Sequence, residues 1–358
     1  MDQALADLIE RVRAARAARS AVCVRAGGTK DFYGGERHGA PLDPRSYRGI
    51  ASYEPSELVV TARCGTPLAE LEAELAAHGQ MLAFEPPHFG PGATVGGCVA
   101  AGLSGPRRAT AGAVRDFMLG AMLLDGSAQV LRFGGTVMKN VAGYDVARLL
   151  TGSLGTLGLI LEASIKVLPR PAEELTLQLE MNESSALARM NAWAGQPLPI
   201  SATRWHNQRL AVRLSGSGAA VRTARERIGG EPIEAAAGAT LWQNVREHSA
   251  PFFQGPVPLW RLSVPSNAAP LALAGDQLIE WGGALRWLRT SEPTATLRER
   301  AAALGGHATR FRGGEAAANT ASDAFTPLAP TLAEIHRRLK AQFDPDSIFN
   351  PGRLVKDI

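Results

Sequence analysis

An α+β fold with a mixed sheet is what this 358-residue sequence predicts, on three observations. Short runs of alternating polarity recur along the chain, and segments with apolar residues at helical spacing lie between them. Two successive strand-like runs, FMLGAMLLDG (117–126) and SAQVLRF (127–133), meet at Asp125-Gly126, a hairpin signal that excludes a purely parallel sheet.

The elements follow in order. Leu5, Leu8, Ile9 and Val12 recur at helical spacing and predict an amphipathic N-terminal helix; Asp2, Asp7 and Glu10 interrupt any apolar export block, so no cleaved signal is expected. AVCVRA reads as a strand running into a loop at Gly27 and Gly28, and SELVVTAR as a second strand. TPLAELEAELAAHG predicts a helix with Thr66 as N-cap, Glu70 in its first turn and Gly79 as its stop. After the hairpin, LILEASIKVLP is a strand ended by Pro169. Pro169 and Pro171 mark a boundary. Beyond it EELTLQLEM, SATRWHN, QRLAVRLSG, VPLWRLSVP, ALRWLRT and HATRFRG alternate as strands, and ESSALARMNAWAG, AAVRTARERIGG and PTATLRERAAALGG read as helices. A sheet with helices on one face satisfies that pattern. After Ser322, the helix PTLAEIHRRLKAQF and the tail FDPDSIFNPGRL return to the first domain. The expected division is therefore 1–170, 171–321 and a C-terminal segment 322–358.

Composition narrows the function. With 45% hydrophobic and 20% charged residues the chain is foldable, and a net charge of +4 without a basic tail is too weak for a nucleic-acid binder. No apolar run approaches the ~20 residues of a membrane-spanning helix. Cys23, Cys64 and Cys98 form no C-x-x-C pair, fit a reducing, cytoplasmic compartment, and are too few for an iron–sulfur cluster held by this chain alone.

Two glycine-rich stretches, PGATVGGCVAAGLSGPRR (91–108) and KNVAGYDVARLLTGSLGTLGLI (139–160), carry the functional signal. Glycine lets backbone amides approach a ligand, and runs of exposed N–H groups hold phosphate oxygens. Each stretch alone also reads as tight turns, or as a helix cap before a close-packed strand. Together they suggest one elongated phosphate-containing ligand, with FAD as the natural candidate. Gly152, Gly155 and Gly158 are spaced G-x-x-G-x-x-G, which disfavours the nicotinamide fingerprint, and no P-loop is present.

The motifs VRAGGTK (24–30), TVGG (94–97), SGPRR (104–108), GAVRDFMLG (112–120), KNVAGYD (139–145), GSLGTLG (152–158) and FDPDSIFNPGRL (343–354) resemble the FAD-binding, PCMH-type branch of the vanillyl-alcohol oxidase family. More narrowly, they resemble the FAD-binding subunits of bacterial glycolate oxidases. The resemblance implies a PCMH-type FAD domain of two α/β subdomains with a small α+β cap. It also implies a flavoprotein subunit of a complex that oxidises glycolate, a small 2-hydroxy acid, to glyoxylate and passes electrons to a partner carrier. The implied partners are a second flavin subunit and an iron–sulfur subunit, with at most peripheral membrane association through them. The alternatives are an independently active FAD-dependent oxidoreductase of another small alcohol or acid, and a non-catalytic assembly subunit.

By the same resemblance, Arg25, Gly27, Gly28, Thr29 and Lys30 form the pyrophosphate loop. Pro91, Thr94, Val95, Gly96, Gly97, Gly102, Ser104 and Gly105 form a second cradle. Gly155, Thr156, Gly158 and Ile160 lie at the adenine–ribose or flavin end, and Asn350 returns from the C-terminus as a polar contact. Arg107 and Arg108 read either as phosphate neutralisers or as solvated surface. Thr29 and Lys30 stand where many relatives carry a flavin-attaching histidine, and Cys98 sits among small residues, so FAD is expected to be non-covalent. None of His38, His78, His88, His206, His248, His307 and His336 forms the H-x-G-D-G-N-x-H motif of catalytic relatives, so no metal is expected and no catalytic residue is assigned. Lys139, Tyr144 and Arg310 are the residues to watch near substrate or flavin. Trp242, Phe252 and Phe253 read as either a partner surface or core.

Overall fold

The computed structural model describes residues 2–136, 144–313 and 324–356. The N-terminal helix Gln3–Ala17 is capped by the Asp2 carboxylate, which accepts from the Ala4 amide at 3.0 Å. It buries Leu8, Ile9, Val12 and Ala15, the stripe that its spacing predicts, against Leu42, Leu124, Leu161 and Phe349. Val22–Val24 pairs in parallel with Ala40–Leu42. The C-terminal tail completes this layer: the Val22 amide donates to the Ile348 carbonyl at 2.8 Å, and the Asn350 amide to the Val22 carbonyl at 3.0 Å.

A five-stranded antiparallel sheet follows, in the spatial order Ile50–Glu54, Val59–Arg63, Leu159–Lys166, Met118–Leu124, Val130–Gly134. Its hairpin closes where the sequence places it, through a loop rather than a two-residue turn. Asp125 Oδ1 accepts from the Ser127 and Gln129 amides, and Ala128 takes the positive φ. Helices Leu68–Ala77 and Val95–Ala101 cover the sheet through Leu68, Leu71, Leu75, Val95 and Val99. Thr66 is not the N-cap of the first of these. Pro67 holds that position, and the Thr66 hydroxyl instead donates to the Arg63 carbonyl at 2.6 Å. Gly79 stops the helix with φ +67°.

Residues 173–312 form a separate eight-stranded sheet, antiparallel throughout. Its order is Glu231–Ile233, Glu173–Glu180, Arg209–Gly216, Ile200–His206, Asp276–Glu280, Leu285–Arg289, Leu259–Ser263, His307–Arg312. Asp276–Glu280 lies in GDQLIEWGG, whose run is too short to announce a strand. The three expected helices, Glu183–Ala194, Gly218–Ile228 and Thr294–Ala303, pack on one face. A fourth, Ala235–Arg246, corrects the one-face expectation: its Trp242 packs on Ala202 and Ala211, which alternate to the opposite face from Leu210 and Val212. That second face meets the first half of the chain through Leu278, Leu285, Trp287, Phe252 and Phe253 against Tyr33, Ala101 and Leu103. Trp242, Phe252 and Phe253 are buried core, not a partner surface.

Helix Pro330–Phe343 ends on a buried anchor. The Lys340 ammonium donates at 2.7 Å to the Thr156 carbonyl, the Phe349 carbonyl and the Asp344 carboxylate. Asp344 in turn accepts from the Ile348 and Phe349 amides.

Candidate functional site

Where the strand Val22–Val24 runs out, the chain enters a loop whose backbone amides are left over. The amides of Gly27, Gly28, Thr29 and Lys30 have no hydrogen-bond acceptor among the described residues. Gly28 takes φ +70°, a left-handed turn that glycine adopts without strain. Gly27 presses against the opposite loop, where a Cβ would fall 1.6 Å from the Gly92 carbonyl oxygen. Successive free N–H groups of this kind form an anion-binding concavity.

The loop forms one wall of a cleft that residues from both ends of the chain line together. Of the residues predicted from sequence, it gathers Arg25, Gly27, Gly28, Thr29, Lys30, Thr94, Gly96, Gly97, Gly155, Gly158, Ile160 and Asn350. Residues some 320 positions apart thus meet in one cavity. Cys23, Asp31, Arg37, Cys64, Leu154 and Arg353 also line it and were not anticipated. Arg353 had a signal, being three residues beyond Asn350 in the tail motif. Its guanidinium donates to the Gly35 and Asp31 carbonyls and pins the loop.

Six predicted residues lie off this lining. Pro91 is an exposed turn residue, and Val95 is fully buried in the core of its helix. Gly102 ends that helix in the left-handed conformation. The Ser104 hydroxyl accepts from the Val114 amide at 3.2 Å, and the Gly105 carbonyl accepts from the Trp281 indole at 3.0 Å; both face a second cavity. The Thr156 hydroxyl turns inward and donates to the Ser153 carbonyl at 2.8 Å.

The second cradle also works differently from its sequence reading. It is the first turn of a helix, and the amides of Val95, Gly96 and Gly97 are spent on the Thr66 carbonyl, the Cys64 carbonyl and the Thr94 hydroxyl. Gly96 is needed for packing, since its Cβ would stand 2.7 Å from that of Cys64. Gly97 opens on the cleft, and its Cβ would meet only the Thr94 hydroxyl, at 3.3 Å. Asn350 is a clamp rather than a free polar contact. Its Oδ1 accepts from the Val24 amide at 2.7 Å and its Nδ2 donates to the Leu154 carbonyl at 2.6 Å, which ties the two walls together.

The charges are distributed unevenly. Arg25 and Arg37 share the Asp31 carboxylate, at 2.8 and 2.6 Å. The Lys30 ammonium lies 3.3 Å from the His88 carbonyl, and burial lowers its pKa below the usual lysine range. Cys98 is 2% exposed, off the cleft lining, and burial pushes its thiol up to about 12, which suits packing rather than nucleophilic attachment. Arg107 is neither solvated surface nor a free phosphate ligand. It is buried against Glu85 and Glu174, and Arg213 reaches Glu85 at 2.8 Å, so the pair of carboxylates latches the two sheets' halves together. Arg108 lies over the Trp281 ring at 4.4 Å. Tyr144 is 95% exposed, Arg310 lies on the strand His307–Arg312 away from the cleft lining, and Lys139 is outside the described residues. Among the described residues, no group of three or more His, Cys, Asp or Glu side chains could hold a metal ion.

Comparison with known proteins matches this geometry. A family described as an FAD binding domain matches residues 3–134. The glycolate oxidase subunit GlcE of Escherichia coli is 46% identical over 98% of this chain and 97% of its own length. The chain belongs to the GlcE family. The glycolate oxidase subunit GlcD of Bacillus subtilis is 39% identical over a shorter stretch, 24% of this chain and 18% of that protein. The D-lactate dehydrogenase of Anaerostipes hadrus is 34% identical over 36% of this chain and 26% of its own length. A solved structure of alkyldihydroxyacetonephosphate synthase shares the fold, with a TM-score of 0.66 over 96% of this chain and 74% of that one at 15% identity. The chain is thus an FAD-dependent oxidoreductase of PCMH-type fold, and FAD is its cofactor. The free amides of Gly27–Lys30 and the open side of Gly97 fit a dinucleotide.

Proposed function

We propose that this protein is the FAD-carrying subunit of a glycolate oxidase complex, oxidising glycolate to glyoxylate. The four unpaired amides of Gly27–Lys30 at the cleft wall, in a chain 46% identical to a glycolate oxidase subunit, carry this reading. FAD accepts the electrons of the oxidation; the protein binds, orients and encloses it. In this reading residues 1–170 and 322–358 build the FAD domain and 171–321 the cap. The loop amides hold the pyrophosphate, with Arg25, Arg37 and Arg353 supplying positive charge around them. Gly97, Gly155, Gly158 and Ile160 provide close backbone approach, and Asn350 keeps the walls at a fixed separation. FAD is held without a covalent bond, since no histidine stands in the first loop and Cys98 is buried away from the cleft.

The partners in this reading are a second flavin subunit and an iron–sulfur subunit that takes the electrons onward. The three cysteines, Cys23, Cys64 and Cys98, cannot hold a cluster alone. Among the described residues no helix is long and apolar enough to cross a membrane. The complex is cytoplasmic, with peripheral attachment through partners. Purification of the chain co-expressed with its neighbours tests this: a yellow complex with iron–sulfur absorbance, releasing fluorescent FAD on acid precipitation, is the expected result. A colourless chain, or flavin retained on the acid pellet, refutes the cofactor assignment or its non-covalent form.

A further inference from the structure

The helix Pro330–Phe343 carries an apolar stripe that the fold covers at one end only. Leu332, Ile335, His336, Leu339 and Phe343 recur at helical spacing along one side of it. Phe343 is buried beside Phe133, with ring centres 6.1 Å apart, and Leu339 packs on the core of the five-stranded sheet. One and two turns earlier the cover stops: Ile335 is 48% and Leu332 50% exposed. A groove runs between this helix and the turn after the short helix Val146–Leu149, and Leu149, Leu157, Leu339, Leu354 and Val355 line it. Of the six large apolar side chains exposed among the described residues, Leu149, Leu332 and Ile335 belong to this face.

The border of this strip is basic. Arg337 and Arg338 share the single Glu334 carboxylate, Arg148 is matched by Asp145 at 3.1 Å, and Lys356 is exposed in the tail. Four cations against two carboxylates leave an excess of two positive charges among these side chains. Contiguous exposed apolar surface rimmed by charge marks an interaction site, and arginine is enriched in protein interfaces. A leucine-lined groove takes the apolar face of an amphipathic helix, and a basic border calls for carboxylates on that helix's flanks.

Position narrows the partner. The groove shares a wall with the FAD cleft: Gly152, Ser153 and Thr156 face the groove, while Leu154, Gly155 and Gly158 of the same loop line the cleft. The Lys340 ammonium ties the helix to that wall by donating to the Thr156 carbonyl at 2.7 Å. Three cysteines cannot hold an iron–sulfur cluster, so electrons leaving the cleft cross to another polypeptide. This uncovered face stands one loop away from where they start. We propose that it docks the iron–sulfur subunit of the complex, which lays an apolar helix flanked by carboxylates along the groove. The proposal rests on the glycolate oxidase reading above and gives that partner its place on this chain.

The tagged chain, co-expressed with the second flavin subunit and the iron–sulfur subunit, is purified and scored for co-eluting chains, iron and flavin. The wild-type complex is expected to carry both partners. Ile335→Glu and Leu332→Glu should each lose the iron–sulfur subunit and its iron. Both side chains already face water, so melting and this chain's own flavin should stay at wild-type values. Arg338→Glu should weaken binding of the purified iron–sulfur subunit by about tenfold or more, and Arg338→Lys should preserve it. Iron retained in both glutamate variants overturns the proposal. Loss of the second flavin subunit alone overturns it too and gives the face to that chain. Self-association of the isolated wild-type chain that Ile335→Glu abolishes, with iron retained, gives the face to a second copy and overturns it as well. A wild-type chain that brings down no iron–sulfur subunit overturns the reading on which the proposal rests, and the docking surface with it.

Discussion

Replacing Lys340 by methionine removes the ammonium that joins the C-terminal segment to the FAD cleft. Three acceptors lose their donor together: the Thr156 carbonyl behind the glycine-rich wall, the Phe349 carbonyl and the Asp344 carboxylate, each at 2.7 Å. Asp344 is completely buried and keeps only the Ile348 and Phe349 amides. Breaking a buried ion pair by removing one partner costs about 3–5 kcal/mol, because the remaining charge is left without compensation. At roughly 2–4 °C per kcal/mol, the melting temperature should fall by roughly 10 °C. Combining Lys340→Met with Asp344→Asn removes the stranded charge while an amide acceptor remains, and should recover about 2 kcal/mol. The effect should extend to the cofactor, since Asn350, six residues after Asp344, clamps Val24 to Leu154. Urea unfolding of the single and double variants, with and without added FAD, measures both effects. A Lys340→Met protein within about 1 kcal/mol of wild type would show that the anchor is not a buried charge network in the sense argued here.

Gly97→Leu should give a folded protein that loses flavin, whereas Gly96→Ala, whose Cβ meets Cys64 at 2.7 Å, should lose about 1–3 kcal/mol of stability through overpacking. Flavin absorbance per folded chain, with melting curves, separates the two, and full flavin content in Gly97→Leu would refute its place at the ligand. Asn350→Ala should lower stability by about 1–3 kcal/mol and weaken FAD retention by leaving the Val24 amide and Leu154 carbonyl without partners; unchanged retention would mean the clamp does not set the cleft. Glu280 has its pKa raised by burial from 4.5 to about 7, so its neutral form stabilises the fold fully below about pH 4.5 and that contribution is lost as pH rises through 7. Glu280→Gln, which cannot ionise, should therefore gain about 3 kcal/mol on wild type between pH 5 and pH 8.5, and parallel stability–pH curves for the two proteins would refute that shift.

The sequence by itself determined what is local or periodic. The Leu8–Ile9–Val12 stripe, the Asp125-Gly126 hairpin and the strand Leu159–Lys166, which stops three residues short of the expected Pro169, follow from side-chain spacing and turn chemistry that act within a few residues. The glycine-rich loops announced a phosphate ligand because close backbone approach demands glycine wherever the chain later folds. Tertiary structure decided which of those glycines face the cleft. Gly96 and Gly97 are adjacent and identical in sequence, yet one packs on Cys64 and the other opens on the cleft, because the angle at which a short helix meets its sheet is not written in either residue. The same holds for Asn350, whose two amide ends are claimed by backbone groups 326 and 196 positions away. It holds for Arg107, which finds Glu85 and Glu174 rather than phosphate. Arg261, Glu280 and His248 gave no signal at all. Each is an ordinary residue in an unremarkable segment; Glu280 and His248 are set apart only when strands and a loop far apart in the chain enclose them away from water, while Arg261 stays half-buried on the same sheet face as Glu280.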